Sequence, residues 1–500
     1  MPTAPVRGLI SLPVHRAFST STNLRLASAF SPSCLAIIQS AALRGDGRAV
    51  VKAPQRRLIH SSEKRTNTIA ELPGTAYPTP SPAAPKNAPL SVLPLQMILR
   101  SLGTTLISSS PMLLGPSLKL MAMLAHSSNP ILNPDSNPIL RFFLKNTFYA
   151  QFCAGENAAE VRATISNLKK IGFNGVILGY AKEVVLPEND AQSMASAAVG
   201  IETPEIIENE INPWTHGTLE TVSLAEPGDF VALKFTGAGR LALHQLAHND
   251  APSPYLAECI DAICKLAHER GVRLLFDAEQ DALQDGIDNW TIQYSRKYNT
   301  KAEEATIYGT YQAYKKATPA VLSKHLAEAQ EGNFTVGVKL VRGAYINSDP
   351  RDRFFETKEG TDACYNGVAA AVLTRQWGPL IEGKGDFPNA HIVLATHNAE
   401  SVRRARAIVD GGAAKSDIAC AQLQGMADEV SCELVEASQA TQPPAVPVYK
   451  YLVWGTTGEC MKYLLRRAQE NKDAVQRTKD GRDAMWAELV RRCKVAVGFA

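Results

Sequence analysis

The sequence predicts an α/β protein, a distorted (β/α)8 barrel of the TIM type that is preceded by a short helical region and a disordered targeting segment. Two observations lead to the barrel. From about residue 157, eight short apolar runs rich in β-branched residues alternate with amphipathic stretches of helical length. These units occupy roughly 300 residues, which is the usual size of such a barrel. We assign the barrel to residues 157–475 and a helical tail to residues 476–500.

Each predicted strand is a short run of apolar and β-branched residues. The eight runs are Gly172–Tyr180, Phe230–Phe235, Val272–Asp277, Thr306–Tyr311, Thr335–Arg342, His391–Thr396, Ile418–Leu423 and Val446–Leu452. Helices are predicted between them, with one before the first strand at about 157–170 and one after the eighth at about 457–472. Residues 183–229 break the alternation. They hold ten acidic side chains and no Lys or Arg, so we expect a solvated acidic insertion there.

The segment before the barrel divides into three parts. Residues 1–62 carry eight Lys or Arg side chains and one acid, which is typical of a disordered mitochondrial transit peptide; a basic tail is the alternative. Residues 63–90 form a Pro-rich linker. Residues 91–156 are expected to be helical, and an apolar stretch within them is too interrupted by charges and prolines for a membrane span. These helices either contact a membrane surface or pack as ordinary helices.

Composition excludes several classes of protein. The formal net charge is +3, but beyond residue 62 the chain has 44 basic and 48 acidic side chains, so it has no general affinity for nucleic acid. The nine Cys residues are scattered and lack C-x-x-C spacing, which favours buried reduced thiols over a metal site or a disulfide framework. No Walker, H-E-x-x-H or Ser-His-Asp pattern occurs.

An open, doubly wound sheet is the alternative architecture. Residues 237–242 read G-x-G-x-x-A after a strand and before a helix, which is the dinucleotide-binding pattern. We favour the barrel because no acidic residue ends a second strand about 20 residues later, and because further strand–helix units would remain unexplained.

Polar side chains recur at the carboxyl ends of the predicted strands, where barrels of this type build their active sites. In chain order they are Lys234, Asp277, Gln312, Lys339, Arg342, Thr396, His397, Gln424 and Tyr451. Any one buried charge could be part of a structural ion pair, because an unpaired one is costly. Charges at equivalent places in three apolar strands instead favour a binding cleft, in which Lys234 is expected to pair with Asp277.

Two adjacent arginines lie on the last predicted helix of the barrel. Adjacent arginines usually mark a solvated face. This helix, however, follows the eighth strand and can lean over the barrel mouth, and Glu470 lies at i+4 from Arg466 and i+3 from Arg467. A held pair of guanidinium groups suits a small carboxylate ligand. Without a nucleophile or metal pattern, such a barrel fits cofactor chemistry.

Seven stretches between residues 234 and 471 together resemble the proline dehydrogenase (proline oxidase) family, in its mitochondrial eukaryotic form. In the family's order they are Leu274–Glu279, Tyr311–Lys315, Lys339–Tyr345, Ala395–Asn398, Gln422–Met426, Tyr449–Gly455 and Tyr463–Asn471. The resemblance implies non-covalent FAD at the strand ends and oxidation of L-proline to Δ1-pyrroline-5-carboxylate. It also implies a quinone electron acceptor, and a location on the matrix side of mitochondria in association with the inner membrane.

The resemblance also implies roles for individual residues. Those that hold the proline carboxylate or shape its site are Arg466, Arg467, Lys234, Asp277 and Glu470, with Asp277 paired to Lys234 and Glu470 bracing the arginines. Those that pack on the proline ring are Tyr451 and Leu423. Those that line the flavin are Gln312, Lys339, Arg342, Gly343, Ala344, Thr396 and His397.

Residues 339 and 451 bear on flavin binding and substrate choice, and two functions outside the family remain as alternatives. Bacterial members often have Arg where this chain has Lys339, which keeps the charge but loses the planar fork beside flavin N5. A bulky Tyr451 favours proline over hydroxyproline, whose oxidation, as in the hydroxyproline dehydrogenases of the same family, is the alternative activity. The other functions are a Schiff-base lyase that uses Lys234 or Lys339, and a non-catalytic barrel that binds a small anion.

Overall fold

The computed structural model describes residues 88–181, 201–346, 349–440, 446–470 and 475–498, without the side chains of Ala440, Glu470 and residues 475–477. The predicted transit peptide, residues 1–62, and the predicted linker as far as residue 87 lie outside these ranges. Within them, a closed barrel of parallel strands is surrounded by helices. The prediction of a (β/α)8 fold is therefore confirmed.

In the described ranges, nine parallel strands form one sheet. They are β1 (Cys153–Gly155), β2 (Gly175–Tyr180), β3 (Phe230–Leu233), β4 (Arg273–Phe276), β5 (Ile307–Gln312), β6 (Val336–Val341), β7 (Ala390–Ala395), β8 (Ile418–Leu423) and β9 (Val448–Trp454). Strands β2 to β9 follow one another around the barrel, and β9 closes it by pairing with both β8 and β2. All carboxyl ends therefore meet at one end of the barrel, where the predicted polar residues lie.

Aromatic packing fills the amino end of the barrel. The ring of Phe230 lies 5.5 Å from that of Tyr308 and 5.0 Å from that of Tyr449, centre to centre, in both cases edge-on. The guanidinium of Arg273 stacks 3.7 Å above the Phe230 ring and donates a 2.8 Å hydrogen bond to the Tyr449 hydroxyl. These residues occupy the first or second position of their strands, so the opposite end is left for a ligand cavity.

Ten helices of eight residues or more cover the barrel strands in the described ranges. They are Ala158–Ile171, Asn212–Leu224, Arg240–Ala247, Pro254–Glu269, Asp281–Tyr298, Thr318–Gly332, Lys358–Thr374, Ala399–Asp410, Asp428–Ala440 and Thr457–Glu470. Asn157, Thr357 and Asn398 each accept a hydrogen bond from a backbone amide in the first turn of the helix that follows. These side-chain caps satisfy amides that the helix itself cannot, which fixes where the helices begin.

The predicted acidic insertion, residues 183–229, is wrong in its second half. The helix Asn212–Leu224 packs into the main core through Trp214, Val222 and Leu224. The indole Nε1 of Trp214 donates a 3.0 Å hydrogen bond to the carbonyl of Lys234, at the end of β3. The high acid content of the segment concealed this apolar face. The first half of the prediction falls mostly on residues 182–200, which lie outside the described ranges.

The G-x-G-x-x-A match is a turn into the helix Arg240–Ala247. Gly239 has φ 98°, a conformation that favours glycine. The Glu210 carboxylate occupies the amino end of the helix, where it accepts hydrogen bonds from the backbone N of Arg240 at 2.5 Å and from its Nε at 2.6 Å. A carboxylate of the chain thus stands where a dinucleotide would place phosphate. This contact and the closed barrel exclude the doubly wound alternative.

Helices from both ends of the described chain pack on the outside of the barrel. The first three are Leu95–Ser108, Pro111–His126 and Pro138–Leu144, and the last, Val475–Ala496, packs against the first of them. A single π-helical turn then leads toward β1, a strand of three residues that is too short to give a sequence pattern. Across the described ranges, no helix has both the length and the apolar character needed to cross a bilayer.

Candidate active site

A cavity of about 1040 Å³ opens at the carboxyl ends of the barrel strands. The predicted site residues that line it are Lys234, Asp277, Gln312, Lys339, Arg342, Gly343, Ala344, Thr396, His397, Leu423, Tyr451 and Arg467. Arg466 is not among the described residues of its wall, and the side chain of Glu470 lies outside the described residues. Gln424 lines two neighbouring cavities instead.

Lys339 and Asp277 form a buried ion pair in the wall of the cavity. Nζ of Lys339 lies 2.5 Å from Oδ1 of Asp277, and the two side chains are 8% and 11% exposed. Asp277 was expected to pair with Lys234, whereas the ion pair described for it is with Lys339. Alternate strands of such a barrel contribute to the same layer of side chains. Asp277 follows β4 and Lys339 lies on β6, so the two reach each other past β5.

A second buried carboxylate, Glu279, supports the end of β3. It accepts a 3.1 Å hydrogen bond from the backbone N of Thr236 and another hydrogen bond from the Thr236 hydroxyl. Burial raises the pKa of Glu279, and the positive charge of Lys234 opposes that rise. Lys234, which lines the cavity, is therefore close enough to Glu279 for their charges to interact.

Arg342 is held by three different elements of the fold. Its Nη2 donates to Asp362 at 2.7 Å and to the Ser401 hydroxyl at 2.9 Å, and its Nη1 donates to the Thr396 hydroxyl at 2.5 Å. The guanidinium also lies 4.3 Å from the centre of the Tyr365 ring. These contacts fix a positive charge in the cavity wall and connect β6 to the residues that follow β7.

His397 and Leu423 connect the ends of β7 and β8. Nε2 of His397 accepts a 3.2 Å hydrogen bond from the backbone N of Leu423. The neutral ring therefore carries its proton on Nδ1. Gln422, one residue earlier, donates to the Thr396 carbonyl at 3.2 Å and accepts from the Ser431 hydroxyl at 2.9 Å. This part of the wall is thus held rigidly by its own hydrogen bonds.

Among the strand residues of the wall, two buried polar atoms have no hydrogen-bond partner in the described part of the chain. They are Nε2 of Gln312 and Oγ1 of Thr310, in residues that are 4% and 8% exposed. Both residues line the cavity. Buried polar groups are nearly always hydrogen-bonded, so these atoms point to a ligand that carries acceptors. A heterocycle with carbonyl and imine acceptors, such as an isoalloxazine, fits this amide donor, the hydroxyl and the neighbouring cations.

The arginine helix, Thr457–Glu470, is held at its first turn by acids from the region before the barrel helices. Oδ1 of Asp135 accepts from the backbone N of Gly458 at 2.8 Å, and Oε1 of Glu156 accepts from the backbone N of Thr457 at 2.9 Å. Negative charge at a helix amino end is stabilising. The guanidinium carbons of Arg466 and Arg467 lie 5.8 and 5.4 Å from the centre of the Tyr463 ring. Arg467 and Tyr463 reach the cavity from this helix.

Tyr451 projects from β9 into the same cavity. Its ring centre lies 5.8 Å from Nζ of Lys339. A Cβ at Gly179, on the neighbouring strand β2, would come within 2.8 Å of the Tyr451 hydroxyl. Because Gly179 has no side chain, the phenol of Tyr451 has room at this point. Leu423 is in register with Tyr451 on the neighbouring strand β8.

Sequence reasoning did not single out several residues of the cavity wall. They include Thr310, Tyr345, Gln422 and Tyr463. Thr310 could have been found, because it lies two residues before Gln312 and successive alternate residues of a strand share a face. Tyr345, Gln422 and Tyr463 fell within the motifs quoted above but had been given no role. Burial raises the pKa of Tyr345 to about 12, so its hydroxyl stays protonated.

The fold and this cavity define a class, a TIM-type barrel that binds a small anionic molecule among cations and amide groups. A sequence model of the family described as proline dehydrogenase matches residues 161–480. The chain therefore belongs to the proline dehydrogenase family, and the resemblance inferred from its motifs is confirmed. It is an enzyme of that family.

Similar proteins extend this result. "Probable proline dehydrogenase, mitochondrial" of Schizosaccharomyces pombe is 29% identical over 405 residues, which are 71% of this chain and 80% of the relative. "Proline dehydrogenase 1, mitochondrial" of Dictyostelium discoideum is 30% identical over 68% of this chain, but only 64% of that protein's length is covered. "Hydroxyproline dehydrogenase" of Bos taurus is 28% identical over 70% of this chain and 81% of its own.

A solved structure shares the fold. Proline utilization A from Bdellovibrio bacteriovorus, inactivated by N-propargylglycine, superposes with a TM-score of 0.52 and 16% sequence identity. The match covers 75% of this chain and 38% of the other. At this identity the likeness shows the fold alone.

Proposed function

We propose that the chain oxidises L-proline to Δ1-pyrroline-5-carboxylate with a non-covalent FAD in the barrel cavity, and that electrons pass to a quinone. One observation carries the proposal. The guanidinium of Arg467 shares a cavity of about 1040 Å³ with orphaned polar atoms of Gln312 and Thr310, so a carboxylate and a heterocycle can be recognised side by side. Membership of the proline dehydrogenase family supports the choice of substrate.

The residues proposed to hold FAD are Gln312, Lys339, Arg342, Gly343, Ala344, Thr396 and His397. When bound, FAD supplies an acceptor at N5 for the hydride that leaves C5 of proline. The wall that would surround it is held by hydrogen bonds of the chain itself, because Arg342 donates to Asp362, Thr396 and Ser401. Lys339 adds positive charge, which offsets the negative charge that accumulates on reduction.

The residues proposed to hold proline are Lys234, Leu423, Tyr451, Arg466 and Arg467. The two arginines and Lys234 would bind the carboxylate, because charge-assisted hydrogen bonds to guanidinium groups are strong and directional. Tyr451 and Leu423 would pack on the ring. Asp277 orients Lys339 through their ion pair, and Glu470 would brace the arginines. Holding the carboxylate and the ring at the same time would align the C5–H bond of proline with the hydride acceptor. Such positioning can supply much of an enzyme's rate acceleration.

The cations of the cavity also act on the protonation of the substrate. A hydride leaves the carbon next to nitrogen readily only when the amine is neutral. Positive charges close to an amine lower its pKa. Lys234, Lys339 and Arg467 line one cavity, so bound proline would lose its ammonium proton more easily there than in water.

Hydroxyproline is the second candidate substrate, because one of the similar proteins is named for it. Tyr451 favours proline, since its phenol occupies the space that a ring hydroxyl would need. The proposed location is the matrix side of mitochondria, in association with the inner membrane. The acid-poor composition of residues 1–62 and the mitochondrial names of the relatives support this assignment.

The absorption spectrum of the purified protein tests the proposal. We expect a yellow protein whose visible flavin bands bleach when proline is added without oxygen. Arg467→Met should keep the flavin bands and need far more proline for bleaching, which separates substrate binding from cofactor binding. A colourless protein that cannot be reconstituted with FAD would refute the proposal. Reduction by borohydride that traps substrate on Lys234 or Lys339 would favour a Schiff-base lyase instead.

A further inference from the structure

The helices that precede the barrel turn large apolar side chains toward solvent. On the helix Pro138–Leu144, Ile139, Phe142 and Phe143 are 81%, 72% and 62% exposed. Their spacing of i, i+3 and i+4 places them on one face of the helix. Soluble proteins rarely expose three such side chains together, and exposed apolar patches usually mark a binding surface.

The neighbouring helix, Pro111–His126, repeats the arrangement. Its exposed apolar residues are Met112, Leu113, Leu120 and Met123, at 86%, 50%, 52% and 47%. At 3.6 residues per turn these positions fall within a stripe about 100° wide. Lys119 lies at the edge of the stripe, four residues before Met123. The stripe therefore carries a cation and no acid.

Both helices are firmly attached to the protein by their other faces. Ala125 and Leu144 pack with Met461 and Leu465 of the arginine helix in one buried cluster. Each helix therefore has two apolar faces, one used by the fold and one left outside. Packing within the protein explains why the inward face is apolar, but it does not explain why the outward face is apolar.

The net positive charge of these helices indicates which kind of partner the exposed apolar faces would bind. The two helices hold two cations, Lys119 and Arg141, and no acid, whereas Lys145, which follows them, is neutralised by Glu156 at 2.7 Å and Glu160 at 2.6 Å. Asp135 is turned toward the arginine helix, where it accepts from the backbone N of Gly458 at 2.8 Å. An apolar surface with excess positive charge suits anionic lipid headgroups above an acyl layer. A second copy of the chain would bring like charges together, so it fits less well.

We propose that the exposed faces of Pro111–His126 and Pro138–Leu144 form a docking surface that inserts Ile139, Phe142 and Phe143 into the headgroup–acyl boundary of an anionic bilayer. This inference deepens the membrane association given in the proposed function and names the residues that produce it. It does not depend on the flavin chemistry. The cavity lies at the end of the barrel from which the arginine helix reaches, and that helix packs directly on the docking surface helices.

Co-sedimentation of the full chain with vesicles tests the docking surface. The vesicles are phosphatidylcholine with and without phosphatidylglycerol. We expect the protein to sediment with the anionic vesicles, and the variant Ile139→Ser/Phe142→Ser/Phe143→Ser to lose at least about 10-fold in partitioning. Lys119→Glu should weaken binding to anionic vesicles only.

A matched control removes three equally exposed apolar side chains elsewhere. Ile201→Ser/Trp486→Ser/Val497→Ser changes residues that are 75%, 60% and 69% exposed, and should leave vesicle binding unchanged. Equal binding by the helix variant and the unaltered protein would overturn the proposal, as would failure of the unaltered protein to bind anionic vesicles. A dimer in light scattering that the helix variant abolishes would assign the surface to a second copy instead.

The same samples separate this inference from the proposed reaction. Proline oxidation is measured with a soluble dye as electron acceptor, and the helix variant should keep it. A protein that oxidises proline but ignores vesicles refutes the docking surface alone. A protein that binds vesicles through these helices but never oxidises proline refutes the enzymatic proposal alone.

Discussion

Asp277 accepts a 2.5 Å hydrogen bond from Nζ of Lys339, although β5 lies between the strands that carry them. As whole residues, Asp277 and Lys339 are 8% and 6% exposed. Isolated charges at such depth would be very costly, so each depends on the other. The ion pair therefore contributes both to the stability of the barrel and to the shape of the cavity. These two roles can be separated by experiment.

Asp277→Ala should lower the free energy of unfolding by about 3 kcal/mol, because it leaves the Lys339 ammonium buried without its carboxylate. The double variant Asp277→Leu/Lys339→Met should recover most of that loss while activity stays low. Urea unfolding of the single and double variants measures both effects. A loss in the single variant of no more than about 0.5 kcal/mol would mean that water reaches Lys339.

Arg467→Met should raise the KM for proline by about 10- to 100-fold, since a charge-assisted hydrogen bond contributes about 1.5–3 kcal/mol. The kcat should fall less, because in the proposed complex Tyr451 and Leu423 would also hold the proline ring. Arg403→Met is the matched control. It breaks a comparable pair with Glu433 on the outer surface, at 2.8 Å, and should leave steady-state kinetics unchanged.

Tyr451→Ser should raise the ratio of kcat/KM for hydroxyproline over proline by about 10-fold, because it opens space beside the ring where the phenol now lies. The KM for proline should rise at the same time, since packing is lost. Kinetics with both substrates measure the ratio. An unchanged ratio would show that Tyr451 does not contact the ring.

His325 should make the stability of the barrel fall as the pH drops. It is buried against the Tyr311 hydroxyl at 2.9 Å, and burial lowers its pKa to about 4. The unfolded histidine titrates near 6.5. Between these two pKa values only the unfolded chain binds the proton. The free energy of unfolding therefore falls by at most about 1.4 kcal/mol for each unit by which the pH is lowered.

The comparison with His325→Gln isolates this contribution. Glutamine keeps a hydrogen-bonding group beside Tyr311 and removes the titration. The difference in unfolding free energy between the two proteins should shrink from pH 7 to pH 5. Total stability is a poorer readout, because burial raises the pKa of Asp288 to about 7 and so acts in the opposite direction over the same range. A constant difference would contradict a buried neutral His325.

Gly343→Ala should reduce the amount of flavin retained on purification. Gly343 has φ 139°, and a Cβ there would overlap the ring of Tyr314. The loop after β6 would have to shift, and this loop forms part of the cavity wall. Gly378→Ala is the control, because a Cβ there meets nothing within 4 Å. Flavin absorbance per chain in both variants checks the prediction.

The sequence predicted the barrel strands because each is a compact apolar run. It predicted about half of the residues that line the cavity, some because polar residues end those runs and others through the family motifs. The partner of Asp277 was missed, since choosing between Lys234 and Lys339 requires knowing that alternate strands share a layer. The helix Asn212–Leu224 was missed because its acidic surroundings dominate the local composition. Strand β1 has too few residues for any periodicity.

The acids at the first turn of the arginine helix have a practical consequence. Asp135 and Glu156 both precede residue 161, where the match to the family begins. A shortened chain that starts at that boundary would retain Arg466 and Arg467 yet lose the carboxylates that anchor their helix. Excising the matched region by homology alone would thus yield a barrel in which the helix proposed to bind the substrate carboxylate has lost its anchoring acids.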